Sequence, residues 1–89
     1  MSATVEVGRY GFEVWDDFGP EGRRSCYGTD QEGRFGVLTF HSRFDAQRYA
    51  YARGVHAEHF AKHEYGNDEW EKRDDCKQLA KRGRVYESV

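Results

Sequence analysis

Histidine is the residue type whose spacing comes closest to building a chemical site in this sequence. His56, His59 and His63 follow one another at i, i+3 and i+7, so a helix would place their imidazoles on one face. Imidazole nitrogens bind zinc and nickel. The outer two would lie about 10 Å apart along the helix axis, which is more than one ion bridges easily. We therefore expect a solvated helix face and no cofactor, with a metal half-site at His59 and His63 as the alternative.

The cysteines and the paired acids do not complete a catalytic set. Cys26 and Cys76 stand far apart, with no Cys-x-x-Cys or Cys-His signature, so two reduced thiols are expected and one disulfide is the alternative. The glycines form neither a GxGxxG nor a Walker pattern. Adjacent carboxylates diverge on a strand or a helix, which applies to Asp16 with Asp17 and to Asp74 with Asp75. The sequence predicts no enzymatic activity.

An acidic and aromatic segment, residues 64–75, is the candidate contact with another protein. Acids and large rings on an exposed turn suit docking onto a basic protein surface. The alternative is that the acids cap a helix while Trp70 lies in the core. The expected partner-binding residues are Tyr65, Asp68, Glu69, Trp70, Glu71, Asp74 and Asp75.

A nucleic-acid-binding module is an alternative function. Arginines alternate with aromatic residues in the first half of the chain, and rings of this kind can stack on unpaired bases. The residues concerned are Arg23, Arg24, Tyr27, Arg34 and Phe35. However, 14 Lys and Arg stand against 16 Asp and Glu, a net charge of −2, which is not the basic excess that such binders carry. Nucleic acid is therefore not the expected partner.

The composition predicts one thinly cored domain, residues 1–89, that is aromatic inside and outside. The chain has no isoleucine and two leucines, but six Phe, six Tyr and two Trp. Tyrosine and tryptophan serve well at interfaces because each combines an apolar body with a polar group. Neither a signal peptide nor a stretch of membrane-spanning length is present, so we expect a cytoplasmic protein that does not contact a membrane.

Period-two patterns predict a three- or four-stranded antiparallel sheet. Residues 10–17 alternate, with Tyr10, Phe12 and Val14 directed to one side. Residues 34–40 are apolar on both faces, which is typical of a central strand. Further strand candidates are residues 5–7, 23–27 and 84–89, the last as a strand or a tail.

Two helices are expected to follow the sheet, which gives an α+β fold. Ser42 is a good N-cap for a helix over residues 44–62. Phe44, Tyr51 and Val55 share one stripe of that helix and are expected to pack on the sheet, with Phe60 extending the contact. A second helix is expected over residues 68–82. The residues of this second helix that could be buried are Trp70, Cys76, Leu79 and Ala80.

In size and overall pattern the chain resembles anti-CRISPR proteins carried by phages. The resemblance rests on a small acidic domain whose sheet leads through RFGVLTFHSRFDAQRYAYARG, residues 34–54, into helices without an active site. It implies an inhibitor that binds and blocks a bacterial nuclease complex in the cytoplasm of the host cell. The sequence leaves open whether the protein is a monomer or a homodimer. Its partner would be a bacterial CRISPR-Cas or other host protein complex. It adds no role for an individual residue.

Overall fold

The fold is an antiparallel sheet with helices packed against one face. A computed structural model describes residues 2–17, 19–55 and 74–88. Their elements are β1 (Ser2–Val7), β2 (Phe12–Asp17), a 3-10 turn (Gly19–Glu21), β3 (Arg23–Ser25), β4 (Tyr27–Thr29), β5 (Phe35–Phe40), α1 (Arg43–Val55), α2 (Asp74–Ala80) and β6 (Arg84–Ser88). The predicted α+β class is confirmed, and within the described ranges the sheet has six strands.

Strands β2 and β5 organise the sheet. β1 pairs with β2, β6 pairs with β5, and β2 meets β5 directly through the Phe12–Phe40 pair. β3 and β4 lie between the two central strands. β3 pairs with β2, and β4 pairs with β5. Cys26, between them, holds this junction: its N–H donates to the Val14 carbonyl at 2.8 Å, and its carbonyl accepts from the Leu38 N–H at 3.2 Å.

The predicted strands are present, with two differences. β2 begins at Phe12, and Tyr10 lies in the turn that joins it to β1, where the Gly8 N–H donates to the Gly11 carbonyl at 2.6 Å. The strand count exceeds the expected three or four because residues 2–7 form a separate strand and the polar stretch 23–29 divides between two partners. β6 follows α2 and completes the sheet, so residues 84–88 are a strand rather than a tail.

Helix α1 begins as expected but buries the opposite face. The Ser42 hydroxyl accepts from the Asp45 N–H at 3.3 Å, which satisfies a donor of the first turn. The residues directed at the sheet, in the described part of the helix, are Ala46, Tyr49, Ala50 and Arg53. Their spacing of i, i+3, i+4 and i+7 defines one helical face, and its alanines allow close approach to the strands.

The prediction that Phe44, Tyr51 and Val55 pack on the sheet is wrong. Their exposed fractions are 65%, 77% and 61%, and at 3.6 residues per turn they lie on roughly the opposite side of α1 from the buried face. Phe60 and the predicted end of the helix fall outside the described residues. The described part of the second predicted helix, α2, buries Cys76 and Ala80 and half-buries Leu79, as expected, whereas Trp70 lies outside the described residues.

The core lies between the sheet and the helices and is built from few large side chains. Phe40 is fully buried, and its ring centroid lies 5.5 Å from that of Tyr49. Val14, Leu38 and Val85 complete its sheet side. Among the described residues, no helix combines the length and the apolar character needed to cross a membrane.

Candidate functional site

The outward face of α1 carries three exposed large apolar side chains. Phe44, Tyr51 and Val55, here called the α1 stripe, run along the helix for about 16 Å. Single exposed apolar residues are common on protein surfaces, whereas a row of them on one helix face is typical of an interaction surface. The residues predicted to form the core contact are thus exposed in the described part of the structure.

The α1 stripe forms one side of a groove against α2. The groove measures about 430 Å³ and includes half-buried Leu79 on its far side. Its lining consists of Phe44, Gln47, Arg48, Tyr51, Ala52, Val55, Asp75 and Leu79. An apolar centre with a polar rim is the usual anatomy of a protein interface.

Two arginines border the α1 stripe. The Arg48 guanidinium lies 5.6 Å from the centroid of the Phe44 ring, and that of Arg43 lies 4.7 Å from the Phe12 ring. Both side chains are exposed on α1, and Asp75 faces the groove from α2. The aliphatic part of an arginine side chain can cover apolar surface while the guanidinium stays in water. Both side chains can therefore adjust their position when a partner binds.

The predicted acidic contact surface is only partly described. Tyr65, Asp68, Glu69, Trp70 and Glu71 lie outside the described residues. Asp74 and Asp75 are exposed in the first turn of α2, where the Asp75 carboxylate accepts from the Cys76 N–H at 2.8 Å. Asp75 also borders the α1–α2 groove, so this predicted contact residue and the α1 stripe share one surface. A role for the seven residues in partner binding stays a prediction.

The described histidine, His41, belongs to an aromatic contact. Its Nε2 lies 2.7 Å from the Tyr86 hydroxyl, with the two rings edge to face. His56, His59 and His63 lie outside the described residues. Within the described ranges, no three His, Cys, Asp or Glu side chains gather as a metal site would require. The half-site at His59 and His63 stays a prediction.

Two of the three arginines proposed for nucleic acid, Arg23 and Arg34, lie beside carboxylates. Arg23 contacts Glu6 at 2.5 Å and Asp17 at 4.0 Å. Arg34 contacts Glu32 at 2.8 Å and Asp30 at 3.3 Å. The two proposed stacking rings, Tyr27 and Phe35, contact each other edge to face with their centroids 5.9 Å apart. However, a phosphate would have to compete with these carboxylates for the guanidinium groups of Arg23 and Arg34, which disfavours a nucleic-acid interface.

A buried ion pair explains why the α1 stripe faces outward. Asp16 of β2 is 1% exposed and Arg53 of α1 is 3% exposed. The Arg53 Nε donates to Asp16 Oδ1 at 3.0 Å, its Nη2 donates to Oδ2, and its Nη1 lies 3.5 Å from the Tyr49 hydroxyl. Burial raises the pKa of Tyr49, so its hydroxyl stays protonated. Because a buried charge needs its partner, this pair favours the rotation of α1 that turns Arg53 toward the sheet.

Sequence reasoning missed this pair, although both positions carried a signal. Asp16 alternates in phase with Phe12 and Val14, and Arg53 lies in helical phase with Ala46 and Tyr49. A charge on an apolar face of each element could have identified the partners.

Cys26 and Cys76 are both buried, and the structure holds them as thiols rather than as a disulfide. Cys26 and Cys76 are 1% and 4% exposed, and burial raises the pKa of the Cys26 thiol. Since the thiolate is the reactive form, we expect neither residue to react with iodoacetamide in the native protein at neutral pH. Mass spectrometry should show two added groups only after unfolding in guanidinium chloride. Rapid double labelling without denaturant would contradict the buried arrangement.

Comparisons of the chain with protein-family models, with curated proteins and with solved structures gave no match.

Proposed function

We propose that this protein is a non-catalytic binding module that docks onto another protein through the α1 stripe. The observation that carries the proposal is the exposure of Phe44, Tyr51 and Val55 at 65%, 77% and 61% on one face of one helix. Large side chains left in water on a single face release free energy when a partner covers them. A tyrosine at the centre is typical of the residues that dominate interface energetics.

The occupant we propose is an amphipathic helix of the partner. The stripe is long and narrow, and its 7- and 4-residue spacings form a ridge of the kind that packs against another helix. The exposed charged side chains of α1 are those of Arg43 and Arg48, whereas Asp45 is half-buried, which favours carboxylates beside the apolar face of the partner helix. Asp75, at the far side of the groove, would orient a basic residue of the same helix.

We propose that this binding inhibits the partner stoichiometrically. The resemblance to anti-CRISPR proteins supports a bacterial nuclease complex as the target, with the module blocking a surface that the complex needs. Binding through a surface rather than turnover agrees with the sequence prediction of a chain without catalytic residues.

The first test compares binding by the native protein and by a Tyr51→Glu variant. Immobilised protein would be incubated with bacterial lysate, and the retained proteins identified by mass spectrometry and then purified. We expect Tyr51→Glu to weaken binding of the purified partner roughly 30-fold or more, since loss of a central aromatic residue costs about 2 kcal/mol or more. The free energy of unfolding should change by less than about 0.5 kcal/mol, because the residue is exposed.

Val7→Glu is the matched control. Val7 is 75% exposed on β1, outside the lining of the α1–α2 groove, so the same charge introduced there should leave partner binding unchanged. Equal weakening by both variants, or none by Tyr51→Glu, would contradict docking through the stripe. Retention of nucleic acid alone, lost on Arg24→Ala plus Arg34→Ala, would favour the alternative function.

The inhibitory form has its own measurement. Target cleavage by purified CRISPR nuclease complexes would be followed while the protein is titrated in. Inhibition that saturates at one molar equivalent and disappears with Tyr51→Glu supports the proposal. A complex that binds the protein and keeps full cleavage activity would restrict the function to binding.

A further inference from the structure

The face of the sheet opposite the helices carries a second cavity, separate from the α1 stripe. Glu13, Val37 and Thr39 point to this face because they alternate with core residues such as Val14 and Leu38. The cavity measures about 390 Å³. Three tyrosines line it, Tyr10, Tyr27 and Tyr86, and two carboxylates accompany them, Glu13 and Glu87. We refer to it as the tyrosine pocket.

The rings of the tyrosine pocket are held in place by named contacts. Tyr10 and Tyr86 stack with centroids 4.6 Å apart and planes inclined by 19°. The Tyr10 hydroxyl donates to Glu87 at 3.3 Å, and the Tyr86 hydroxyl lies 2.7 Å from His41. The tyrosines remain 37–40% exposed, so ring surface is available to a ligand.

The chemistry of this lining suits an organic cation. The face of an aromatic ring is negative and attracts ammonium and guanidinium groups. Carboxylates beside the rings add charge attraction. Of the formal charges that line the pocket, Glu13 and Glu87 outweigh the one arginine, Arg9. An anion or a neutral apolar ligand would gain less from the same lining.

Arg9 itself shows what the pocket attracts. Its guanidinium lies 5.2 Å from the centroid of the Tyr10 ring and 3.9 Å from the Glu87 carboxylate. It therefore makes, within the chain, the two contacts that an external cation would make. The Arg9 side chain is 78% exposed on a turn, and exposed ion pairs of this kind contribute little stability, so it can be displaced.

We propose that the tyrosine pocket binds the cationic side chain of an arginine or lysine presented by a partner protein, with Arg9 as the group that such a side chain displaces. This site is independent of the α1 stripe, because it lies on the other face of the sheet and uses different residues. A failure of helix docking at α1 would leave it standing.

The test titrates small cations into the intact protein and follows amide and indole resonances by NMR. The probes are N-acetyl-arginine methylamide and N-acetyl-lysine methylamide, with N-acetyl-glutamine methylamide as the neutral control. The Trp15 indole N–H reports on the pocket because it donates to Glu13 at 3.2 Å. We expect the two cations to shift this resonance and those of the tyrosine-pocket residues, and the neutral amide to leave them unchanged.

Two exposed variants make the test specific. Arg9→Ala removes the competing guanidinium and should tighten cation binding at least threefold. Glu87→Gln removes a carboxylate of the site and should weaken it at least threefold. Glu21→Gln, an exposed change outside the pocket, is the matched control and should have no effect. Opposite effects of Arg9→Ala and Glu87→Gln would not arise from a general loss of structure.

Three results would each overturn the assignment. The first is equal shifts with the neutral amide, the second is weaker cation binding by Arg9→Ala, and the third is stronger binding of tetramethylammonium than of both side-chain analogues. If Tyr86→Leu folds, it should lose cation binding, because it keeps apolar volume but removes a ring face.

Discussion

Replacing Arg53 with methionine is expected to lower the free energy of unfolding by about 3–5 kcal/mol, because it leaves a buried carboxylate without its partner. Asp16 is 1% exposed and receives two hydrogen bonds from the Arg53 guanidinium. Small domains are typically stable by about 5–15 kcal/mol, so the variant would lose a large share of its stability. Urea unfolding followed by circular dichroism at neutral pH measures the effect.

Two further variants show whether the effect belongs to the buried pair. Arg48→Met makes the same change at an exposed position of α1 and should alter the free energy of unfolding by less than about 0.5 kcal/mol. The double variant Asp16→Leu plus Arg53→Met should be more stable than Arg53→Met alone, since no unpaired charge remains buried. An Arg53→Met protein as stable as Arg48→Met would show that the pair does not hold α1 on the sheet.

The second large effect is expected at Asp30, in the loop between β4 and β5. Its carboxylate accepts from the Arg34 N–H at 2.9 Å, the Glu32 N–H at 3.0 Å and, in β6, the Val85 N–H at 3.0 Å. Asp30→Ala leaves these donors without that acceptor, and an unsatisfied buried donor costs about 1–3 kcal/mol. We expect a loss of about 2–3 kcal/mol in urea unfolding. Glu32→Ala, an exposed acid of the same loop, should change stability by less than about 0.5 kcal/mol.

Asp30 also predicts how stability responds to acid. Burial opposes ionisation of this carboxyl, but the hydrogen bonds from Val85, Arg34 and Glu32 outweigh burial and lower its pKa below the ordinary 3.8. A lowered folded-state pKa contributes stability that is complete above the unfolded value and is lost as pH falls through the folded value. The native protein should therefore lose stability below about pH 4, and Asp30→Asn should show a shallower loss. Identical acid profiles would contradict this role.

Arg53 and Asp30 connect the core to the proposed binding surfaces. Arg53 sets the rotation of α1 and thereby the outward direction of Phe44 and Tyr51. Asp30 holds Val85 at the start of β6, and the next residue of that strand is Tyr86 of the tyrosine pocket. Variants at Arg53 and Asp30 are therefore expected to affect binding indirectly, by displacing α1 or β6.

Local sequence patterns were sufficient for most of the elements. Alternation in phase with Phe12 and Val14, and the apolar stretch that includes Leu38 and Phe40, predicted the two central strands, because strand side chains repeat with a period of two. Ser42 predicted the start of α1 through its hydroxyl. Signals of this kind act between residues close in the chain, so the sequence carries them directly.

The tertiary structure decided which face of α1 is buried. The sequence of α1 contains two candidate buried faces. One carries Phe44, Tyr51 and Val55, and the other carries alanines together with Tyr49 and Arg53. Apolar area alone favoured burial of the face with Phe44, Tyr51 and Val55. The face with Tyr49 and Arg53 is buried because Arg53 pairs with Asp16, far away in the chain, and because small residues let the helix approach the sheet closely. The tyrosine pocket likewise depends on a turn and several strands meeting on one face. Contacts between residues distant in sequence require the complete fold, so the local pattern of either partner could not reveal them.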